Sequence, residues 1–306
     1  MNDMAKKWMK NTCSMQFLLV AFITLFFVGC EVDATVDPPA FEKKPVVMSY
    51  ISTKDTGIRV KIAYTQAYYG KVDAPIEYIR DAEVWVVDIT DKDSIKLGYR
   101  LSEESYWVDS SRYRVQSKHE YRLNVLFTDG KFTQAVCKVP DVNRATNWQI
   151  VDWAFVIDTG SMAWSPYSWR LSMQCNNPES GFYYQPLFDL VVEDPATPGQ
   201  YSFFEARSWG DPGQSLLGTE GVVLPVVDRG TTYDPIGGGN IIQYQLKGVS
   251  LISWVYDKYF QFHYLAQFSD DSNPFAEPVL LHGNMTNNIL GVFSAYDFNE
   301  LMVMVP

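Results

Sequence analysis

The chain has 306 residues, 47% of them hydrophobic and 20% charged, a composition that excludes disorder over most of its length. Its formal charge of −11, from 25 Lys and Arg against 36 Asp and Glu, argues against a nucleic-acid partner. Aromatic residues reach 15%, with 16 Pro and 19 Gly, which favours many short strands and turns over a helical bundle.

The N-terminus reads as an address. Lys6, Lys7 and Lys10 precede an apolar run from Phe17 to Gly29 that stops at Cys30. That run falls short of the ~20 residues a transmembrane helix needs and suits the core of a signal peptide. Phe27-Val28-Gly29-Cys30 resembles the bacterial lipobox, with Phe27 where that motif usually has Leu. Residues 1–29 are therefore expected to be removed as a lipoprotein signal peptide, and Cys30 to carry the lipid. The removed piece holds three Lys and one Asp, a net +2, so the remainder stands at −13. Glu31 and Asp33 directly follow the cysteine and resemble the surface-export signal of Bacteroidota lipoproteins; a solvated acidic linker is the alternative reading. Lipid chains of this kind anchor stably, because each buried CH₂ contributes ~0.8 kcal/mol.

Residues 30–45 hold Pro38, Pro39 and Pro45 among acidic residues and read as a tether. Short strands follow. Val46 to Ile51 runs into the turn Thr53-Lys54-Asp55-Thr56-Gly57, and Ile58, Val60, Ile62 and Tyr64 then alternate with polar or small residues. Ala82 to Ile89 is a further strand, closed by the turn Asp91-Lys92-Asp93-Ser94. Tyr121 to Phe127 alternates up to Asp129-Gly130, a hairpin signal, and Phe132 to Val139 returns. This spacing predicts an immunoglobulin-like β-sandwich over residues 46–141. Residues 142–306 predict a β-rich C-terminal domain. Within it Trp148 to Ile157 and Trp164 to Cys175 read as strands around Gly160. Residues 191–240 look loop-heavy, a long helix is expected at about 250–268 from an i, i+3, i+4 stripe, and two last strands begin at Leu290. The fold class predicted is all-β, with that one helix. A transmembrane β-barrel fits poorly, because several strands are apolar on both faces and proline-rich loops separate them.

Few motifs carry chemistry. Phe155 to Ser161 (FVIDTGS) resembles the active-site loop of aspartic proteases, and Asp55-Thr56-Gly57 repeats its core. Two carboxylates sharing a proton would serve hydrolysis, but Asp-Thr-Gly is also good turn chemistry, and Asp55 reads as a turn residue. His119, His263 and His282 are scattered and suggest no metal site. Gly237-Gly238-Gly239 lacks the Lys-Ser/Thr of a P-loop. Asp88, Asp91 and Asp93 lack the glycine and the bidentate Glu of a calcium loop and read as turn carboxylates. No catalytic residue, metal or cofactor is expected. Cys13 leaves with the signal, so Cys137 and Cys175 remain; they fall in different expected domains and read as buried and unpaired, and no C-x-x-C occurs. Tyr183, Tyr184, Phe204, Trp209 and Tyr233 crowd the stretch 181–235 and are candidates for recognition by exposed loop aromatics, or for plugging a core beneath long loops.

Several segments together resemble a known family: PVVMSYI at 45–51, DAEV at 81–84, EYRLNVLFTDGKFTQAVCKVP at 120–140, and above all NPFAEPVLLHGNMTNNILGVFSAY at 273–296. They resemble the Bacteroidota lipoprotein family catalogued as domain of unknown function 4249. The resemblance implies an outer-membrane lipoprotein with an immunoglobulin-like front domain, facing the cell exterior and acting as a non-enzymatic accessory of a TonB-dependent receptor. It supplies no catalytic residues. Gly283, Asn284, Asn287, Asn288 and Gly291 are its best-matched positions and read as structural. A surface adhesin or envelope scaffold is the alternative function, and an aspartic-type hydrolase using Asp158 a distant one.

Overall fold

Side chains on a strand fall on opposite faces at every second residue, and that alternation organises nearly every element of the chain. The structure, a computed structural model, describes residues 42–66, 75–157, 167–206, 215–232, 244–267 and 282–306. The chain divides into Met1–Glu42 and Lys43–Pro306; only Glu42 of the first unit lies among the described residues, so the architecture below is that of the second. Cys30, Glu31 and Asp33 therefore lie outside the described residues.

The strands are β1 (Pro45–Ile51), β2 (Gly57–Tyr64), β3 (Glu83–Asp88), β4 (Asp93–Arg100), β5 (Ser105–Asp109), β6 (Glu120–Leu126), β7 (Phe132–Lys138), β8 (Trp148–Ile157), β9 (Tyr167–Cys175), β10 (Tyr183–Glu193), β11 (Tyr201–Glu205), β12 (Leu216–Leu217), β13 (Leu224–Thr232), β14 (Gln245–Tyr256) and β15 (Leu290–Met304). A short α-helix, α1 (Lys258–Gln267), follows β14. The fold is mainly β. One large mixed sheet runs β11-β10-β14-β15-β1-β2-β5-β4-β3-β6-β7, with β12 beside β10, and β13-β9-β8 forms a second sheet of three strands.

The long strand β15 holds the large sheet together. It pairs antiparallel with β14, Tyr256 opposite Tyr296 and Trp254 opposite Phe298. Its first half pairs parallel with β1, from Val46 opposite Leu290 to Ile51 opposite Ala295. Gly291 makes this possible: its φ is +121°, and a Cβ there would sit 1.8 Å from the Val47 carbonyl oxygen. The segment before β15 caps the far edge of the sheet. The Thr286 N–H donates to Gln134 O (3.0 Å), Thr286 Oγ1 accepts from Gln134 N (3.0 Å), and Asn287 Nδ2 donates to Phe132 O (2.9 Å), so the outer edge of β7 is occupied. Asn287 and Asn288 take the left-handed conformation this turn needs, with φ of 60° and 58°. Asn284 clamps the same corner by donating to Phe293 O and accepting from Phe293 N.

Two apolar cores result. The first gathers the inward residues of β1 to β7, such as Val47, Val60, Val84, Leu123 and Cys137, and takes Phe293 and Ala295 from β15. The second lies between the three-stranded sheet and the β10-β14 part of the large sheet. Every second residue of β9 (Tyr167, Trp169, Leu171, Met173, Cys175) points into it, against Tyr184, Phe188, Leu190, Leu251 and Val255, with Val303 from the far end of β15. Trp148 ties the two sheets together, its indole N–H donating to Ser253 Oγ at 2.8 Å.

Three expectations are corrected. The expected long helix shortens to α1; residues 250–256 belong to β14, because Leu251 and Val255 face the second core while Ile252, Trp254 and Tyr256 face the other side. Both faces are apolar, which mimics a helical stripe. The two expected last strands are one, β15. The stretch 191–240, expected as loops, carries the end of β10 and all of β11, β12 and β13.

Candidate functional site

The face of the large sheet that points away from both cores carries an unusual load of aromatic residues. Strand register places them together: Trp254 and Tyr256 on β14 lie opposite Phe298 and Tyr296 on β15, Tyr183 on β10 lies opposite Tyr256, and Tyr50 on β1 lies opposite Ser294. The rings touch in sequence. Trp254 lies 5.0 Å from Phe298 and 5.6 Å from Tyr296, Phe260 of α1 lies 5.0 Å from Tyr296 and 5.5 Å from Tyr50, and Tyr183 stacks on Tyr256 at 6.3 Å. Tyr256 is buried beneath its neighbours; the others are half-buried and keep part of each ring in solvent. An apolar surface of this kind, edged by polar groups, suits recognition.

Acidic residues brace this face. Asp257 caps α1: its Oδ1 accepts from the Tyr259 and Phe260 N–H groups at 2.9 and 3.0 Å and from Ser294 Oγ at 2.6 Å, and Oδ2 accepts from Ala295 N at 3.1 Å. Asp297 is fully buried and accepts from Thr53 Oγ1 at 2.5 Å, and the Tyr296 hydroxyl donates to Asp55 at 2.9 Å. Burial pushes all three carboxyls above their ordinary range, against the hydrogen bonds they accept. Burial, then the nearby Asp257 charge, pushes Tyr50 up to about 12.

Beside the aromatic patch a cleft of about 420 Å³ opens over β1, β2 and β5. Tyr50 and Trp107 line it, with Met48, Asp55, Arg59 and Lys61. Gly57 lets the indole lie flat against the backbone, since a Cβ there would meet the Trp107 ring at 2.7 Å and Val108 O at 2.2 Å. The Arg59 and Arg100 guanidinium groups lie 5.0 and 5.2 Å from the Trp107 ring, and Arg59 also pairs with Glu103 at 3.0 Å.

A second cavity of about 620 Å³ lies over Asp88, Asp91, Asp93 and Arg112 to Ser117. Asp88, Asp91 and His119 bring ligand atoms within 4.8 Å of one another. The Asp88 carboxylate is already engaged, however. His119 Nδ1–H donates to Oδ2 at 2.7 Å, and the Thr90 and Asp91 N–H groups donate to Oδ1 at 2.9 and 3.1 Å. Burial alone would raise this carboxyl, but His119 and the turn's N–H groups together hold it below the ordinary value. The arrangement is that of a hydrogen-bonded pair fixing the turn after β3.

Sequence reasoning points elsewhere along the chain. Of its loop aromatics, Tyr184 and Phe204 lie on strands and are buried in the second core, where Phe204 packs against Tyr167 and Tyr244 at 5.4 and 5.0 Å. They cannot meet a partner as exposed loop residues. Tyr183 joins the half-buried patch, and Trp209 and Tyr233 lie outside the described residues. Asp158 to Ser161 and Gly237 to Gly239 lie outside them too. Asp55 sits in the β1–β2 turn, hydrogen-bonded as above. Sequence reasoning misses Trp107, Trp254, Tyr296 and Phe298 as site residues; their one signal is the alternation that makes their neighbours core residues.

The chain belongs to the family described as Domain of unknown function (DUF4249), whose model matches residues 31–233, more than half of the chain's length. No curated protein matches it.

Proposed function

We propose that this DUF4249 protein is a lipid-anchored lipoprotein on the outer face of the outer membrane, where it serves as a non-enzymatic accessory subunit of a TonB-dependent transporter and helps capture or admit its substrate. The observation that carries this reading is the aromatic face: rings on β1, β10, β14, β15 and α1, most of them half-exposed, outside both cores. Such a face supplies contact area at low entropy cost, and ring contacts of this type are worth ~0.5–1.5 kcal/mol each beyond area burial. The lipobox-like Phe27-Val28-Gly29-Cys30 supports the anchor, and Glu31 and Asp33 support surface export. Residues 46–141 fit an immunoglobulin-like front half, because β1 to β7 share one core.

Co-purification from native membranes tests the partnership. The expected result is a TonB-dependent receptor in near-stoichiometric amount, lost from a folded Trp254→Ala/Phe298→Ala variant. Recovery without any such receptor overturns the reading and leaves an adhesin or scaffold role. Labelling with radioactive palmitate, abolished in Cys30→Ser, checks the anchor, and protease accessibility on intact cells checks the leaflet.

A further inference from the structure

We propose that the cleft between Tyr50 and Trp107 binds a six-membered ring that carries a carboxylate. This names a ligand class for the recognition face and rests on the reading of that face as a capture surface.

The cleft's volume of about 420 Å³ falls in the ~300–1,000 Å³ range of small-molecule sites. Its lining is divided by chemistry. Tyr50 offers a half-buried ring against which a ring of comparable size stacks, and Trp107, its ring overlaid by Arg59 and Arg100, fixes those cations beside it. Lys61 and Arg59 supply positive charge next to them. Lys61 is exposed and carries no ion pair among the described residues, and Arg59 shares its charge with Glu103. Arg100 adds a third cation over the Trp107 ring. Three cations in and beside the cleft, against Asp55 on its lining and Glu103 paired with Arg59, leave it net positive in a chain whose formal charge is −11, which favours an anion. Asp55, on the cleft's lining, is an acceptor for a hydroxyl or N–H of the ligand. Tyr50 holds the body of the ligand, and Lys61 with Arg59, which Trp107 sets in place, holds its carboxylate. Gly57 keeps the indole low against the backbone and so keeps the cleft open.

Titration of the full chain in mild detergent, by calorimetry and ligand-observed NMR, tests the site with four compounds: glucuronate, benzoate, glucose and sulfate. At least one of the two ring carboxylates should bind saturably, with glucose and sulfate at least tenfold weaker. Which acid binds distinguishes a sugar acid from an aromatic acid as the source of the shared chemistry. Lys61→Met should weaken binding at least tenfold, and Trp107→Leu should do likewise. Raising salt from 0.05 to 0.5 M should weaken it as well. Lys61 is exposed, so its variant keeps the fold and decides the matter if Trp107→Leu unfolds. Failure of both acids to bind, equal binding of glucose or sulfate, or an unchanged affinity in Lys61→Met would each overturn the proposal. Because the chain is tested alone, such a failure is distinguishable from loss of the transporter partnership, which only co-purification reads.

Discussion

Single carboxylates do much to define the aromatic face. Asp257 uses both oxygens as acceptors, so an amide cannot replace it: with Oδ1 kept toward α1 and Ser294, the NH₂ of Asn would face the Ala295 N–H at 3.1 Å. Asp257→Asn should cost about 1–3 kcal/mol, read from the thermal unfolding midpoint. Asp297 behaves differently with pH. Its native pKa lies above the ordinary 3.8 because it is buried. Between the two values the native state keeps a proton that the unfolded chain has released, so its contribution is greatest below the ordinary value and declines as pH rises through the native one. Asp297→Asn removes that decline. The variant should therefore gain stability relative to wild type as pH goes from 4 to 7; a difference that stays flat across this range would show that Asp297 ionises alike in both states. These roles are not legible in the sequence, where an Asp after an apolar run reads equally as a cap, a turn or a surface charge.

At the level of elements, pattern serves well where one face of a strand is polar. β1, β2, β3, β6 and β7 and the turn at Gly130, with φ of 82°, match the sequence reading because alternation there marks one buried face. It fails where both faces are apolar. In β14 the outward Ile252 and Trp254 supply the extra apolar positions that resemble a helix, and the same ambiguity hides the aromatic face itself. β4 and β5 escape notice because Asp93, Lys96 and Arg100 on one and only two core residues, Tyr106 and Val108, on the other weaken the period. The glycines give the sharpest element-scale expectation. Gly291→Ala forces a side chain into the Val47 carbonyl at a positive φ and should cost about 3 kcal/mol or more by chemical denaturation. Gly98→Ala, where a Cβ meets nothing within 4 Å, should instead be neutral or gain about 0.4–1 kcal/mol.

Across the whole body, β15 belongs to both cores, giving Phe293 and Ala295 to the first and Val303 to the second. The two cores should therefore unfold together. Cys137 and Cys175 report on them separately, one buried thiol in each, unpaired, with burial raising both above the ordinary thiol range. Neither should react with a thiol reagent in the native state, and in a urea series both should become reactive at the same midpoint; two midpoints would show the halves to be independent. The pairing of β1 with β15 also bears on how the molecule is made. Ser52 and its partner Asp297 are 245 residues apart in sequence. A chain that emerges N-terminus first presents β1 long before β15 exists to receive its parallel edge. Until that late segment arrives, the front half has an open flank and an incomplete interior. The open edge of β1 is therefore closed only by the last residues of the chain, so the front half stays an unfinished sheet until they are available.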